Sequence, residues 1–367
     1  MSGLKSVTIK GREMKFPTYF PDATRGVVRS LDSDDLKTVG IEGLVVNTYH
    51  LITTPGTSVI KEFGGIKQFM GWDGFITTDS GGWQIFSMLQ KNNALGLVSD
   101  DGVKFFVGSK GNKKKYIFTP EISINAQFNL NPDIVVCLDA FTPPNATREE
   151  NEQSVMRTVE WAKRCKEEFI KQCEIRHLLK EQSPLLLVPI QGGFDRSLRE
   201  KCAVELLKIG FGAFGLGGWL IGDDGKMNMA LTKFIADLVP RDKVLFALGA
   251  GLPMDIVNSY KVGWHIFDCV LPTRDARHGR LFIFNKDPEK ADLLNDPDIF
   301  GHLYIDKEKF TSDKDPISPY CDCPTCQNYS KGYLRHLFAV EDSLAFRLAS
   351  LHNLRTYSKT IELLRRI

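Results

Sequence analysis

The chain has 367 residues, 43% of them hydrophobic and 25% charged, with 47 basic against 45 acidic side chains. This composition excludes a disordered or fibrous protein, and the length suits one large α/β barrel with an insertion or two ordinary domains. The net charge of +2 excludes capture of nucleic acid by overall charge, so any basic surface must be local; no apolar run approaches a membrane span, and Met1 to Thr18 lacks a signal peptide's apolar core.

Short apolar runs alternate with helical stretches along the chain, which is the pattern of parallel strands joined by crossover helices. The predicted strands are Thr18–Phe20, Leu44–Val46, Phe75–Thr78, Ile134–Leu138, Leu185–Ile190, Ala213–Leu216, Val244–Leu248 and Ile266–Val270. Eight is the number that a closed (β/α)8 barrel, the TIM barrel of the α/β class, requires. Between the third and fourth of them, Phe105 to Tyr116 reads as an inserted hairpin, near residues 100–118, with its tip at Gly108–Asn112. The Lys113-Lys114-Lys115 run there either touches phosphate or decorates a solvated hairpin.

Thr119-Pro120-Glu121 predicts a helix start by its N-cap, its proline at the first position and its acidic first turn; Asn131-Pro132 ends that helix. A second helix is predicted from about Arg148 to Lys171, with charges spaced for a solvated outer face. Beyond residue 280 a polar stretch rich in Asp and Pro leads into a cysteine cluster, and a helical segment follows from about Tyr329 to Arg366. We divide the chain accordingly into a barrel, 1–280, and an appended metal-binding subdomain with C-terminal helices, 281–367.

Polar residues and glycines stand at the ends of the apolar runs, where a barrel of this kind builds its active-site face. Asn47, Asp79 and Asp139 follow three of them; Gln191-Gly192-Gly193 and Gly217-Gly218 follow two more. Loop-starting polar residues account for one or two of these positions. They account poorly for Asp268, which is flanked by Phe267 and Cys269-Val270, since burying an unpaired carboxylate is costly. Two carboxylates at strand ends suit displacement at a glycosidic carbon, one attacking the sugar and the other protonating the leaving base. Trp83, after Ser80-Gly81-Gly82, offers a face on which a base would stack; a core tryptophan is the competing reading.

Three of the eight cysteines fall within six residues, Cys321-Asp-Cys323-Pro-Thr-Cys326. That spacing points to a metal site in a reducing compartment and not to a disulfide framework. With one histidine the set makes a closed tetrahedral zinc site, structural because no coordination position stays open. His352 and His336 both compete for the fourth position.

Seven motifs together resemble one family. They are NTYHL (47–51), FMGWD (69–73), TDSGGWQIFS (78–87), IQGG (190–193), GLGG (215–218), FDCVLPTRDARHG (267–279) and CDCPTCQNYSKGYLRHL (321–337). The sequence is similar, from about residue 17 to 366, to the tRNA-guanine transglycosylases. The likeness is closer to the bacterial type than to the archaeal type, which carries extra RNA-binding domains. The resemblance implies a cytoplasmic (β/α)8 enzyme, usually a homodimer, with one structural Zn2+. Its substrates would be tRNA with a GUN anticodon and a 7-deazaguanine base, preQ1 first and queuine second. It implies Asp268 as the nucleophile on ribose C1′ and Asp79 as the general acid/base. Asp139, Gln191 and the Gly218 amide would read the base edge, with Trp83 stacked on it. Thr273, Arg274 and Arg277 would contact the anticodon RNA, and His352 would complete the zinc site.

The chain departs from the family pattern in places. Ala140-Phe141-Thr142-Pro143 stands where the bacterial pattern reads Glu-Cys-Thr-Pro, Trp219 replaces a leucine, and Leu252 replaces a common lysine. Phe141 and Trp219 would line the base pocket and reshape it. Rival readings are a non-catalytic accessory subunit, an enzyme exchanging bases in DNA, and a zinc-stabilised binding module. Retention of Asp79 and Asp268 opposes the first, the PTRxAR segment the second, and an apolar-flanked Asp268 the third.

Overall fold

The computed structural model describes residues 3–91, 96–107, 114–218, 220–222 and 225–367. Trp219, the hairpin tip at 108–112 and Lys113 lie outside these residues. Eight parallel strands form one sheet: β1 (Thr18–Pro21), β2 (Gly43–Val46), β3 (Phe75–Thr78), β4 (Ile134–Val136), β5 (Leu185–Ile190), β6 (Ala213–Leu216), β7 (Val244–Ala247) and β8 (Ile266–Cys269). Their spatial order is β1-β8-β7-β6-β5-β4-β3-β2. The two ends of that order meet where Asp22 bridges to Val45 in parallel and the Ala23 amide donates to the Val45 carbonyl at 2.7 Å. The architecture is therefore the α/β barrel that the strand count predicts, with each strand within two residues of its expected bounds.

By packing, the chain comprises two compact units, residues 2–14 with 46–246 and residues 15–45 with 247–367. In the first, helices begin where local chemistry dictates. Thr119 caps Pro120–Leu130 by accepting from the Ile122 amide, and Asn131, in the left-handed region with φ 54°, ends it. Thr147 and Glu150 form a capping box at the head of Arg148–Ile175. Gln127, fully buried on the shorter helix, accepts from the Thr78 hydroxyl and the Val136 amide and donates to the Val136 carbonyl. It thereby ties that helix to the ends of β3 and β4. The predicted insertion is a three-stranded antiparallel sheet, Gly96–Ser99, Gly102–Val107 and Lys114–Phe118, with Phe105 opposite Tyr116 and their rings stacked. The strand at 96–99, Gly-Leu-Val-Ser, was not predicted, because a run of four residues is too short to show a period.

In the second unit, β1 and β8 pair with Phe20 opposite Asp268. A Cβ on Gly43 would stand 2.2 Å from the Phe20 ring, so β2 needs glycine there to let that phenylalanine in. The polar stretch beyond residue 280 contains a hairpin, Arg280–Phe284 against Phe300–Tyr304. The helical segment is two helices, Lys331–Ala339 and Ser343–Arg365, preceded by the short helix Pro324–Asn328. The last helix buries most of its length, and Asn353 within it reads backbone on both sides: it accepts from the Phe282 amide and donates to the Pro272 and Arg280 carbonyls. Leu281, Ile305, Leu334, Leu337 and Leu348 form the apolar core around it. Among the described residues no helix is long and apolar enough to cross a membrane.

Candidate active site

Asp79 follows β3 directly, and its carboxylate is held from several sides. The Thr48 and Gly81 amides donate to Oδ1 at 2.9 and 3.0 Å, and Asn47 Nδ2 donates to Oδ2. Asn47 is itself fixed: it caps the helix Thr48–Thr53 through the His50 amide, and Nδ2 also reaches Gln84. Gly81 has φ +78°, and a Cβ there would press on the Tyr49 amide, so the turn that aims its N–H at Asp79 requires glycine. The motifs NTYHL and TDSGGWQ are thus two halves of one hydrogen-bonded cluster.

A second cluster, in the same unit, lies at the ends of β4, β5 and β6. Gln191 is fully buried, and its Nε2 donates to Asp139 Oδ2 at 2.5 Å. Burial pushes the Asp139 carboxyl up to about 6, while the Gln191 donor and the positive charge of Arg199 oppose the rise. Gly218 has φ +80°, and a Cβ on it would lie 3.0 Å from Gln191 Oε1; on Gly217 it would lie 2.6 Å from the Ile190 carbonyl. Both glycines are therefore dictated by close approach. Trp83 is 42% exposed and does not belong to the core. Its ring stands edge-on to half-buried Phe141, 4.3 Å between centroids at 74°. Arg199, which the sequence reading passed over, lies fully buried under this cluster. Nothing in its spacing separates it from the neighbouring, solvent-side Arg196.

In the other unit, Asp268 occupies the third position of β8, half-buried between fully buried Phe267 and nearly buried Cys269. The Gly249 amide donates to its Oδ1 at 2.9 Å. Burial pushes this carboxyl up to about 7, the Gly249 amide works against that, and the negative charge of Asp22 adds to it. The surrounding backbone is fixed: Tyr19 donates to the Cys269 carbonyl at 2.8 Å and Tyr357 to the Gly251 carbonyl at 2.7 Å. Asp22 was not singled out in sequence. It belongs to the same face as Asp268, since β1 and β8 run in parallel with Phe20 opposite Asp268 and Asp22 two residues on. The helix Leu271–Arg277 follows. Thr273 is buried with its hydroxyl donated to Val270, Arg274 is exposed, and Arg277 is half-buried and donates to the Thr273 carbonyl.

Cys321, Cys323, Cys326 and His352 come together in that unit, their ligand atoms all within 4.8 Å of one another. His352 Nδ1 lies 3.2 Å from the Cys326 sulfur and 3.8 Å from that of Cys323, while Nε2 lies 2.7 Å from the Phe282 carbonyl. A proton on Nε2 donated to that carbonyl leaves Nδ1 bare toward the sulfurs, the arrangement that orients a ligating imidazole. Three sulfurs and one nitrogen at this spacing can hold a metal ion, and the donor set fits tetrahedral zinc. His336 is exposed on another helix and is not part of the cluster.

With this geometry in view, the comparisons decide the family. Residues 4–367 match the family described as queuine tRNA-ribosyltransferase. The chain belongs to the queuine tRNA-ribosyltransferase family. It is accordingly an enzyme of the tRNA-guanine transglycosylase class, a pentosyltransferase. A queuine tRNA-ribosyltransferase of Nitratidesulfovibrio vulgaris (strain DP4) is 38% identical over 341 residues, covering 93% of this chain and 83% of that protein. Its counterpart in Psychrobacter cryohalolentis is 34% identical over 360 residues, covering 98% and 88%. A third, from Methylacidiphilum infernorum, is 36% identical over 349 residues, covering 95% and 87%.

Proposed function

We propose that this transglycosylase replaces guanine at the wobble position of tRNA bearing a GUN anticodon with a 7-deazaguanine, preQ1 in the first place and queuine in the second. Asp268 attacks ribose C1′ through a carboxylate oxygen, the bond from C1′ to the base breaks, and its electron pair leaves with guanine. Asp79 supplies the proton to the departing base and later removes one from the incoming base, whose attack on C1′ releases Asp268. Asp139, as an acceptor, suits the N–H edge of guanine; Gln191 and the Gly218 amide suit its carbonyl edge. Trp83 offers a stacking face, and Phe141 narrows the space beside it. Thr273, Arg274 and Arg277 belong to the RNA side of the site, where the two guanidinium groups suit phosphate and base edges. The Cys3His cluster holds a structural zinc ion, since its four protein donors complete a tetrahedron.

The observation that carries this reading is Asp268: a half-buried carboxylate in an apolar strand, met by one backbone donor, in a chain of this family. The test is release of labelled guanine from a GUN-anticodon tRNA, with preQ1 and queuine offered in parallel. Release driven by one base identifies the reaction and its co-substrate together. A denaturant-stable RNA adduct, lost in Asp268→Asn, marks the covalent intermediate. Folded, zinc-loaded protein that releases guanine with neither base and traps no RNA would overturn the proposal and favour an accessory subunit or a DNA substrate.

A further inference from the structure

Arg199 lies in the helix Arg196–Ile209 with no exposed surface. Its Nε donates to the Gly193 carbonyl at 2.8 Å, and Nη1 donates to the carbonyls of Ile190 and of Gly217, the latter at 2.7 Å. One guanidinium thus binds both glycine-bearing turns, the one after β5 and the one after β6. Nη2 and Gln191 Oε1 are buried without a hydrogen-bond partner among the described residues. A Cβ on Gly218 would lie 3.6 Å from the first and 3.0 Å from the second, so both atoms sit directly beneath Gly218. Burying a guanidinium is expensive, and a short aliphatic residue would fill the core more cheaply.

We infer that Arg199 is a positioning residue of the base pocket: it sets Gln191 and the Gly218 amide in place through the two turns and supplies the positive charge that faces Asp139. The inference rests on the proposed base-reading role of that cluster. Among the described residues, the other titratable groups facing Asp139 are the thiols of Cys137 and Cys202, and burial pushes both up, Cys202 to about 12, so both are neutral. Burial lowers the Arg199 guanidinium to about 10, which leaves it charged throughout the neutral range. Removing that charge raises the proton affinity of Asp139 and delays its ionisation to higher pH.

The experiment compares wild type with Arg199→Met and Arg199→Lys. Guanine affinity is read by calorimetry on the free enzyme, and KM and kcat by guanine exchange, across the pH range from about 5 to 9 that brackets an Asp139 value raised by burial. Wild-type affinity should fall as pH drops through about 6. Arg199→Met should move that limb to higher pH and weaken guanine about tenfold at neutral pH, with kcat at saturation changed far less. Arg199→Lys should restore the limb while recovering affinity only in part, since one ammonium cannot span three carbonyls. Wild-type affinity and limb in Arg199→Met would overturn the inference, as would a uniform loss of kcat with unchanged affinity. If Arg199→Met does not fold, wild-type guanine affinity in Arg199→Lys would overturn it, and weakened affinity with an unmoved limb would support it. Guanine binding that responds to these variants in a protein with no exchange would keep this inference and sink the proposed function; a wild type that binds no guanine would sink both.

Discussion

At the scale of single residues, the chemistry comes down to how each carboxylate is surrounded. Asp268 has one backbone donor, apolar flanks and a like-charged neighbour in Asp22, and its proton affinity rises to about 7. If Asp268 is the nucleophile, as proposed, the exchange rate should climb with pH through about 7 as its carboxyl ionises. For stability the sign is opposite. The folded value lies above the ordinary carboxylate value, so the contribution is intact where both states are protonated and is lost as pH rises toward 7. Asp268→Asn should therefore abolish exchange yet gain about 2 kcal/mol over wild type at alkaline pH, after allowance for solvent at a half-buried site, and nothing in acid. Urea midpoints at both pH values would check this, and an Asn variant less stable than wild type in alkali would contradict it. Gly218→Ala is the second residue-scale case. It forces a side chain into the φ +80° region and against Gln191 Oε1, so guanine KM should rise roughly tenfold or more while the fold survives.

At the scale of elements, one barrel helix was readable from its caps. Thr119, Pro120 and Asn131 marked both ends of it, whereas the helix Arg148–Ile175 was read from the spacing of its charges and its Thr147–Glu150 capping box was seen only in the structure. What could not be read was what each helix holds. Gln127 looks like any polar helix residue, yet it is buried and bonds to two strand ends beside Asp79 and Asp139. Gln127→Leu should cost roughly 2–4 kcal/mol, because the Thr78 hydroxyl and both Val136 backbone groups lose a buried partner. The midpoint of chemical unfolding would measure it, and a change below about 1 kcal/mol would show that this helix is held by apolar packing alone. Arg199 is a second such case: its helix was not read from the sequence, and its buried guanidinium bonds to the backbone of two turns.

At the scale of the whole molecule, the Cys3His cluster gathers the short helix, the last helix and the hairpin strand that carries Phe282. A metal held there would couple to folding, because no such site exists in the unfolded chain. Stripping the metal with a chelator, or Cys323→Ser, should lower the melting temperature by several degrees and release one zinc equivalent, with activity lost in proportion to unfolding. Full activity and an unchanged melting temperature in a metal-free sample would refute the structural role.

The sequence by itself determined the class of fold, because eight short apolar runs with helical spacers admit few arrangements other than a closed parallel barrel. It also determined the thiol set of the metal site, because three cysteines within six residues have little else to do. Between His336 and His352 spacing alone was neutral and the family resemblance pointed to His352; the fold agrees, burying His352 with Nε2 on the Phe282 carbonyl. The tertiary structure alone showed that Asn47 and Gly81 serve one carboxylate, that Trp83 lies open beside Phe141, and that Arg199 is buried beneath two glycine turns. Each of these depends on contacts between residues far apart in the chain. Periodicity and capping are local, so they record which face a residue takes but not which partner it meets there.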